Sequence, residues 1–140
     1  MENIAYSLTK QIEAIELIGL YNAVGWSAYT NSPDTLLAAI QGSHTVAVVH
    51  VGNQLVGLAR SISDGASICY LQDILVHPDH HRAGIGRGLA ELIFAQYPGV
   101  RQKVLLTDDE PGQKAFYESL GMTQASEFPS GAMLAFVKCD

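Results

Sequence analysis

Residues 75–91 read LVHPDHHRAGIGRGLAE, and the reading of this stretch decides the fold. It leaves an apolar run at Leu75-Val76, turns at Pro78, places glycines at 84, 86 and 88, and continues as a helix with Ile85, Leu89, Leu92 and Ile93 along one stripe. Gly84 and Gly86 permit tight backbone geometry and close approach of a ligand, while the first helical turn carries N–H groups without intrahelical partners. Those amides and the helix dipole favour an anion, phosphate above all, and Arg82 and Arg87 add positive charge. A glycine-eased start to a packed helix is the other reading of the same residues.

The phosphate motifs of fixed spacing are excluded. GxxxxGK[ST] is absent, and GIGRG does not reproduce GxGxxG. The segments upstream are also wrong for a dinucleotide fold. HTVAVVHV (44–51), QLVGLARSIS (54–63) and ASICYLQDILV (66–76) read as strands, separated by the turn pairs Gly52-Asn53 and Asp64-Gly65. This is an antiparallel meander. Before it, TKQIEAIELIGLYN (9–22) has mostly helical spacing with Thr9 as a cap, and a second helix runs from near Pro33 to Gly42. After it, the glycine-led helix ends near Pro98-Gly99, KVLLT (103–107) reads as a strand, and Gln113–Leu120 as a short helix closed by Gly121. Two more strands are expected at about 122–127 and at 132–138. No linker, repeat or low-complexity segment divides the order, so one mixed α/β domain is expected over residues 1–140.

Composition narrows the class of function. In 140 residues, 48% are hydrophobic and 16% charged, which fits a globular domain with a real core. A net charge of −6 with scattered basic residues argues against a nucleic-acid partner and suits a cationic one such as an amine. The low charge is compatible with a homodimer and with a monomer. MENIAYSLTK has neither a basic flank nor a long apolar stretch, so no signal peptide and no membrane segment are expected. Cys69 and Cys139 are read as reduced thiols of a cytoplasmic protein. His77, His80 and His81 are crowded, but no cysteine or paired carboxylate completes a zinc set, and no metal is expected.

Two further residues carry chemistry. Asp73 is a charge inside an apolar strand: it could accept a proton, hold an ammonium, sit on a solvated face, or bond to nearby backbone. Tyr117, in AFYESLGM (115–122), has a polar handle on an apolar ring and could brace the fold or reach a reacting group. Asp108-Asp109-Glu110 reads either as a solvated loop or as acidic residues that favour an amine at the cleft.

The passage LVHPDHHRAGIGRGL, followed after one strand by AFYESLGM, resembles the GCN5-related N-acetyltransferases (GNAT). HRAGIG at 81–86 matches the glycines of their [Q/R]xxGx[G/A] motif, with His81 where the family has Gln or Arg. The resemblance implies a mostly antiparallel central sheet flanked by helices, acetyl-CoA as cosubstrate, and direct acetyl transfer to a primary amine. It places cosubstrate contacts on the amides of Leu75 or Val76 and on His81, Arg82, Ala83, Gly84, Ile85, Gly86 and Arg87. It makes Tyr117 the acid beside the sulfur, assigns Asp73 to the active site, and sets Tyr21 and Trp26 in the acceptor pocket. YNAVGW, LVGLARSISDG and YLQDILVHP are similar to small arylalkylamine or serotonin-type acetyltransferases. A protein, peptide or amino-acid acceptor, and an acyl-CoA-binding module without turnover, are the competing readings.

Overall fold

Valine-rich segments make the centre of the sheet. The computed structural model describes residues 3–140, so Met1 and Glu2 of the opening segment lie outside the described residues. The described elements run β1 (Ile4–Leu8), α1 (Ala14–Ala23), α2 (Ser27–Thr30), α3 (Pro33–Gly42), β2 (Thr45–Val51), β3 (Gln54–Ser63), β4 (Ile68–Val76), α4 (Ile85–Ala95), β5 (Gln102–Leu105) and α5 (Pro111–Ser119). The strands form one sheet in the order β1-β2-β3-β4-β5. The first three pairings are antiparallel and β4–β5 is parallel, which gives the mixed α/β, mostly antiparallel architecture expected from sequence.

The meander follows from local chemistry. Gly52, at φ 60°, makes the tight turn between β2 and β3. Between β3 and β4, Asp64 Oδ1 accepts from the amides of Ala66, Ser67 and Ile68. Its Oδ2 accepts from the Ser67 hydroxyl, and these bonds hold the Asp64 carboxyl well below the usual range, the hydroxyl contributing most.

One face of the sheet buries Val46, Val48, Leu58 and Leu75 against Leu17, Leu20 and Tyr21 of α1 and Leu36 and Ile40 of α3. Each such side chain contributes roughly 1.5–3 kcal/mol on burial. The opposite face receives α4, and Gly57 sets how closely. A Cβ at Gly57 would stand 3.1 Å from Ile85 Cγ2 and from Leu89 Cδ1, so a bare backbone on β3 lets the helix seat against the sheet. Gly88 does the same for β1, because a Cβ there would overlap the Tyr6 ring and hydroxyl.

The chain divides into two compact units between Leu106 and Thr107. The first holds the sheet and α1–α4. In the second, α5 is followed by a 3-10 turn at Ala125–Glu127 and irregular chain, so the strands expected near 122–127 and at 132–138 are not formed. Local bonds occupy part of that backbone, Met133 N donating to Ala125 O at 2.9 Å and Gly131 N to Phe128 O at 3.1 Å. The second correction is at the start: β1 pairs with β2 from Ile4 to Leu8, and the first helix begins only at Ala14 rather than at 9. Both cysteines are free, Cys69 buried and Cys139 exposed.

Candidate functional site

The centre of the first unit is a strand that loses its neighbour. β5 pairs with β4 only from Ile68 to Leu71, while β4 continues to Val76. At the same point β4 carries a bulge: Arg60 pairs with Asp73 and Ser61 with Leu71, leaving Gln72 without a partner on β3. From Gln72 onward, one edge of β4 is therefore open.

Strand alternation decides which main-chain groups face that edge. The His77 amide donates to Val56 O on β3 at 2.7 Å. Successive residues turn their N–H and C=O to opposite sides, so Leu75 faces β3 while Ile74 and Val76 face the open edge. Two contacts agree. Leu75 O lies 3.5 Å from the Cβ position of Gly57, and His81 Nε2 donates to Val76 O at 3.0 Å. Of the two strand amides expected to meet a cosubstrate, Val76 is turned outward and Leu75 is turned into the sheet. Ile74, not singled out from sequence, is turned outward as well, because the direction of an amide is set by pairing and not by side-chain chemistry.

At the far end of this edge lies the glycine turn. Pro78–His80 forms a 3-10 turn whose cap is His77 Nδ1, accepting from the Asp79 amide at 3.1 Å. Arg82 at φ 68° and Gly84 at φ 76° then reverse the chain into α4. No side chain caps that helix, so the amides of Ile85, Gly86 and Arg87 keep the outward direction that suits an anion. His81, Arg82 and Ala83 are exposed on the approach, and Arg87 pairs with Glu91 at 2.9 Å along the helix surface. An uncapped turn with two left-handed residues, opening onto an unpaired strand edge, fits a phosphate-bearing ligand with an extended amide arm.

Behind the bulge is a buried polar network. Asp73 and Arg60 are only 4% and 5% exposed, and Arg60 Nε donates to Asp73 Oδ2 at 2.6 Å. The same oxygen accepts from the Tyr21 hydroxyl, and Oδ1 from the Tyr29 hydroxyl, both at 2.9 Å. Arg60 Nη2 donates onward to the Tyr29 oxygen at 3.0 Å. Burial pulls the guanidinium down, but the charge and bond of Asp73 prevail and hold Arg60 above its ordinary value. Burial first, and then the Asp73 charge, push the Tyr21 hydroxyl far up.

Two residues expected in the site lie in this network. Tyr21 is fully buried, its hydroxyl turned to Asp73. Both Asp73 oxygens accept hydrogen bonds, Oδ2 from Arg60 and Tyr21 and Oδ1 from Tyr29. Trp26 is half-buried, its ring 5.9 Å from Tyr21 and 6.3 Å from Tyr29. Tyr29 and Arg60 were not singled out from sequence. Arg60 did leave a signal, a lone cation in the apolar strand next to the one that carries Asp73.

In the second unit, Tyr117 sits on α5 with its ring 4.9 Å from Phe116, and burial raises its hydroxyl above the ordinary value. Among the described residues no group of three or more His, Cys, Asp or Glu is placed to hold a metal, and no helix is long and apolar enough to cross a membrane.

Residues 42–123 match the family model described as Acetyltransferase (GNAT) domain. The chain is 26% identical over 124 residues to the uncharacterized N-acetyltransferase ycf52 of Porphyra purpurea, covering 86% of this chain and 71% of that one. It is 32% identical over 105 residues to the histone acetyltransferase TAP1 of Glycine max, covering 67% and 45%. The structure superposes on the GNAT-family acetyltransferase SP0256 of Streptococcus pneumoniae TIGR4 with a TM-score of 0.81 at 26% identity, over 97% of this chain and 99% of that one. The match spans about half the length of several curated relatives, 49% for a Gibberella zeae protein.

Proposed function

The chain belongs to the GNAT acetyltransferase family, and on that premise we propose that it transfers acetyl from acetyl-CoA directly to the primary amine of a small molecule. The observation that carries the reading is the parting of β4 from β5 after Leu71, with the uncapped start of α4 at the far end of the open edge.

Acetyl-CoA supplies the acetyl group already activated as a thioester. The amides of Ile85, Gly86 and Arg87, with the backbone of Ala83 and Gly84 and the guanidinium of Arg82, receive its pyrophosphate. His81 ties this loop to β4 through Val76 O. The outward amides of Val76 and Ile74 hold the acyl arm, and Ile74, nearer the parting point, donates to the carbonyl oxygen where charge develops. Leu75 is left out of this set. The acceptor nitrogen attacks with its lone pair, a C–N bond replaces the C–S bond, and the proton lost from nitrogen is matched by one given to sulfur. Tyr117 is the donor, a phenol that carries its proton at neutral pH. Asp73 positions Tyr21 and Tyr29. Trp26 and Tyr29 offer an aromatic wall, which favours an arylalkylamine acceptor. We place this activity in one cytoplasmic domain spanning residues 1–140.

The likeness to a soybean histone acetyltransferase favours a second reading, a peptide lysine as acceptor. One assay separates the two. CoA release and product mass are measured together for tryptamine, serotonin, phenethylamine, spermidine, lysine and a short lysine peptide. Acetylated arylalkylamine is expected, and a folded Tyr117→Phe variant should keep acetyl-CoA binding while kcat falls about 100-fold. Acetylation of the peptide alone overturns the acceptor class. Bound acetyl-CoA with no acetylated product from any of the six overturns the proposal.

A further inference from the structure

The hydroxyl of Tyr29 has a fixed direction, and that direction selects what can bind to it. A phenol has one proton to give. Here it goes to Asp73 Oδ1 at 2.9 Å, an ionised carboxylate that can only accept. Turned outward, the Tyr29 oxygen can therefore accept hydrogen bonds and cannot donate one. One of its acceptor positions is filled by Arg60 Nη2 at 3.0 Å. The other faces Gln72 Nε2 at 3.4 Å, longer than the ordinary 2.7–3.2 Å of an N–H···O bond. Gln72 is exposed, stands at the bulge, and is the first β4 residue past the point where β5 leaves. Its amide makes the longest of the bonds at the Tyr29 oxygen, at the place where the strand opens.

We propose that Tyr29 is the polar anchor of the acceptor subsite, that the Gln72 amide is a placeholder in it, and that the ligand it takes is an N–H donor with an apolar, flat substituent. The incoming N–H replaces Gln72 Nε2 on the Tyr29 oxygen, and the substituent packs on the half-buried ring of Trp26. The Arg60–Asp73 pair is the device that presets the anchor. Because it holds the Tyr29 proton inward, an acceptor-only group such as a carboxylate finds no hydrogen on the Tyr29 oxygen. It would also force two lone pairs together. This specificity rests on the acetyltransferase reading for its purpose, though not for its geometry.

Trp26 is the only tryptophan in the chain, so its fluorescence reports directly on this subsite. The experiment titrates the acyl-CoA-free protein with phenethylamine and, in parallel, with phenylacetate, which keeps the ring and replaces the donor by an acceptor. Saturable change with phenethylamine and none with phenylacetate is expected. In Gln72→Ala, which removes an exposed side chain only, phenethylamine should bind about threefold tighter, because the placeholder is gone. In Tyr29→Phe it should bind at least about tenfold weaker, with acetyl-CoA-induced thermal stabilisation retained as the check on folding. Equal response to phenylacetate, no response to phenethylamine, or unchanged affinity in Gln72→Ala overturns the subsite.

The two failures are distinguishable. Phenethylamine that binds with this variant pattern but is never acetylated contradicts the proposed function and leaves the subsite standing. Phenethylamine that is acetylated with the same KM in wild type, Gln72→Ala and Tyr29→Phe does the reverse.

Discussion

At the scale of single residues, Asp73 shows how burial changes the meaning of a carboxylate. Asp73 accepts from three buried or half-buried donors, Arg60, Tyr21 and Tyr29, which leaves at most one of its four lone-pair positions to act on a substrate. Asp73→Asn keeps the shape but removes the charge that balances a guanidinium only 5% exposed. We expect a loss of about 3 kcal/mol in urea unfolding, the penalty of a buried charge left alone. Loss of kcat at full stability would instead make Asp73 the base. Tyr21 gives a pH prediction. Its hydroxyl is held neutral by burial and by the Asp73 charge, so its folded pKa lies above the ordinary 10.0. The stability tied to it is complete below about pH 10 and falls as pH rises beyond that value, because only the unfolded chain ionises there. Urea midpoints at about pH 8 and pH 11 should differ more in the wild type than in Tyr21→Phe. Asp73 itself was legible in the sequence as an anomaly; its partners were not. Tyr29 lies in a four-residue helix, too short to show any periodicity.

At the scale of elements, function depends on where α4 begins and where β4 loses its neighbour. Gly84 at φ 76° aims the first helical amides, and valine in that conformation is strained by about 1–2 kcal/mol. Gly84→Val should therefore weaken acetyl-CoA binding at least about tenfold by calorimetry, with a smaller effect on unfolding; unchanged binding would remove this turn from the site. The three meander strands were readable because valine-rich runs alternate with Gly-Asn and Asp-Gly turns, and the observed β2, β3 and β4 keep those limits to within two residues. β1 was not readable. All five of its residues are exposed, so it carries no burial pattern, and only its ladder to β2 makes it a strand. The apolar run AMLAFVK at 132–138 misled in the opposite sense: it has strand composition, but a strand also needs a ladder partner, and none forms there.

At the scale of the whole molecule, the protein combines a net negative chain with a local turn whose amides suit an anion. The charge of −6 is compatible with an amine acceptor, while in the proposed function the anionic cosubstrate meets fixed amides, which need no net positive charge. The glycine motif announced that site in the sequence. Its complement, the open edge of β4, exists only once β5 has paired with Ile68–Leu71 and stopped. The central claim is that these two parts hold one acetyl-CoA molecule. Residue-resolved amide hydrogen exchange, with and without acetyl-CoA, tests it directly. The account predicts that Ile74, Val76, Ile85, Gly86 and Arg87 become slower to exchange, while Leu75, already bonded toward β3, does not change. Protection confined to other elements, or equal protection of Leu75 and its neighbours, would contradict it.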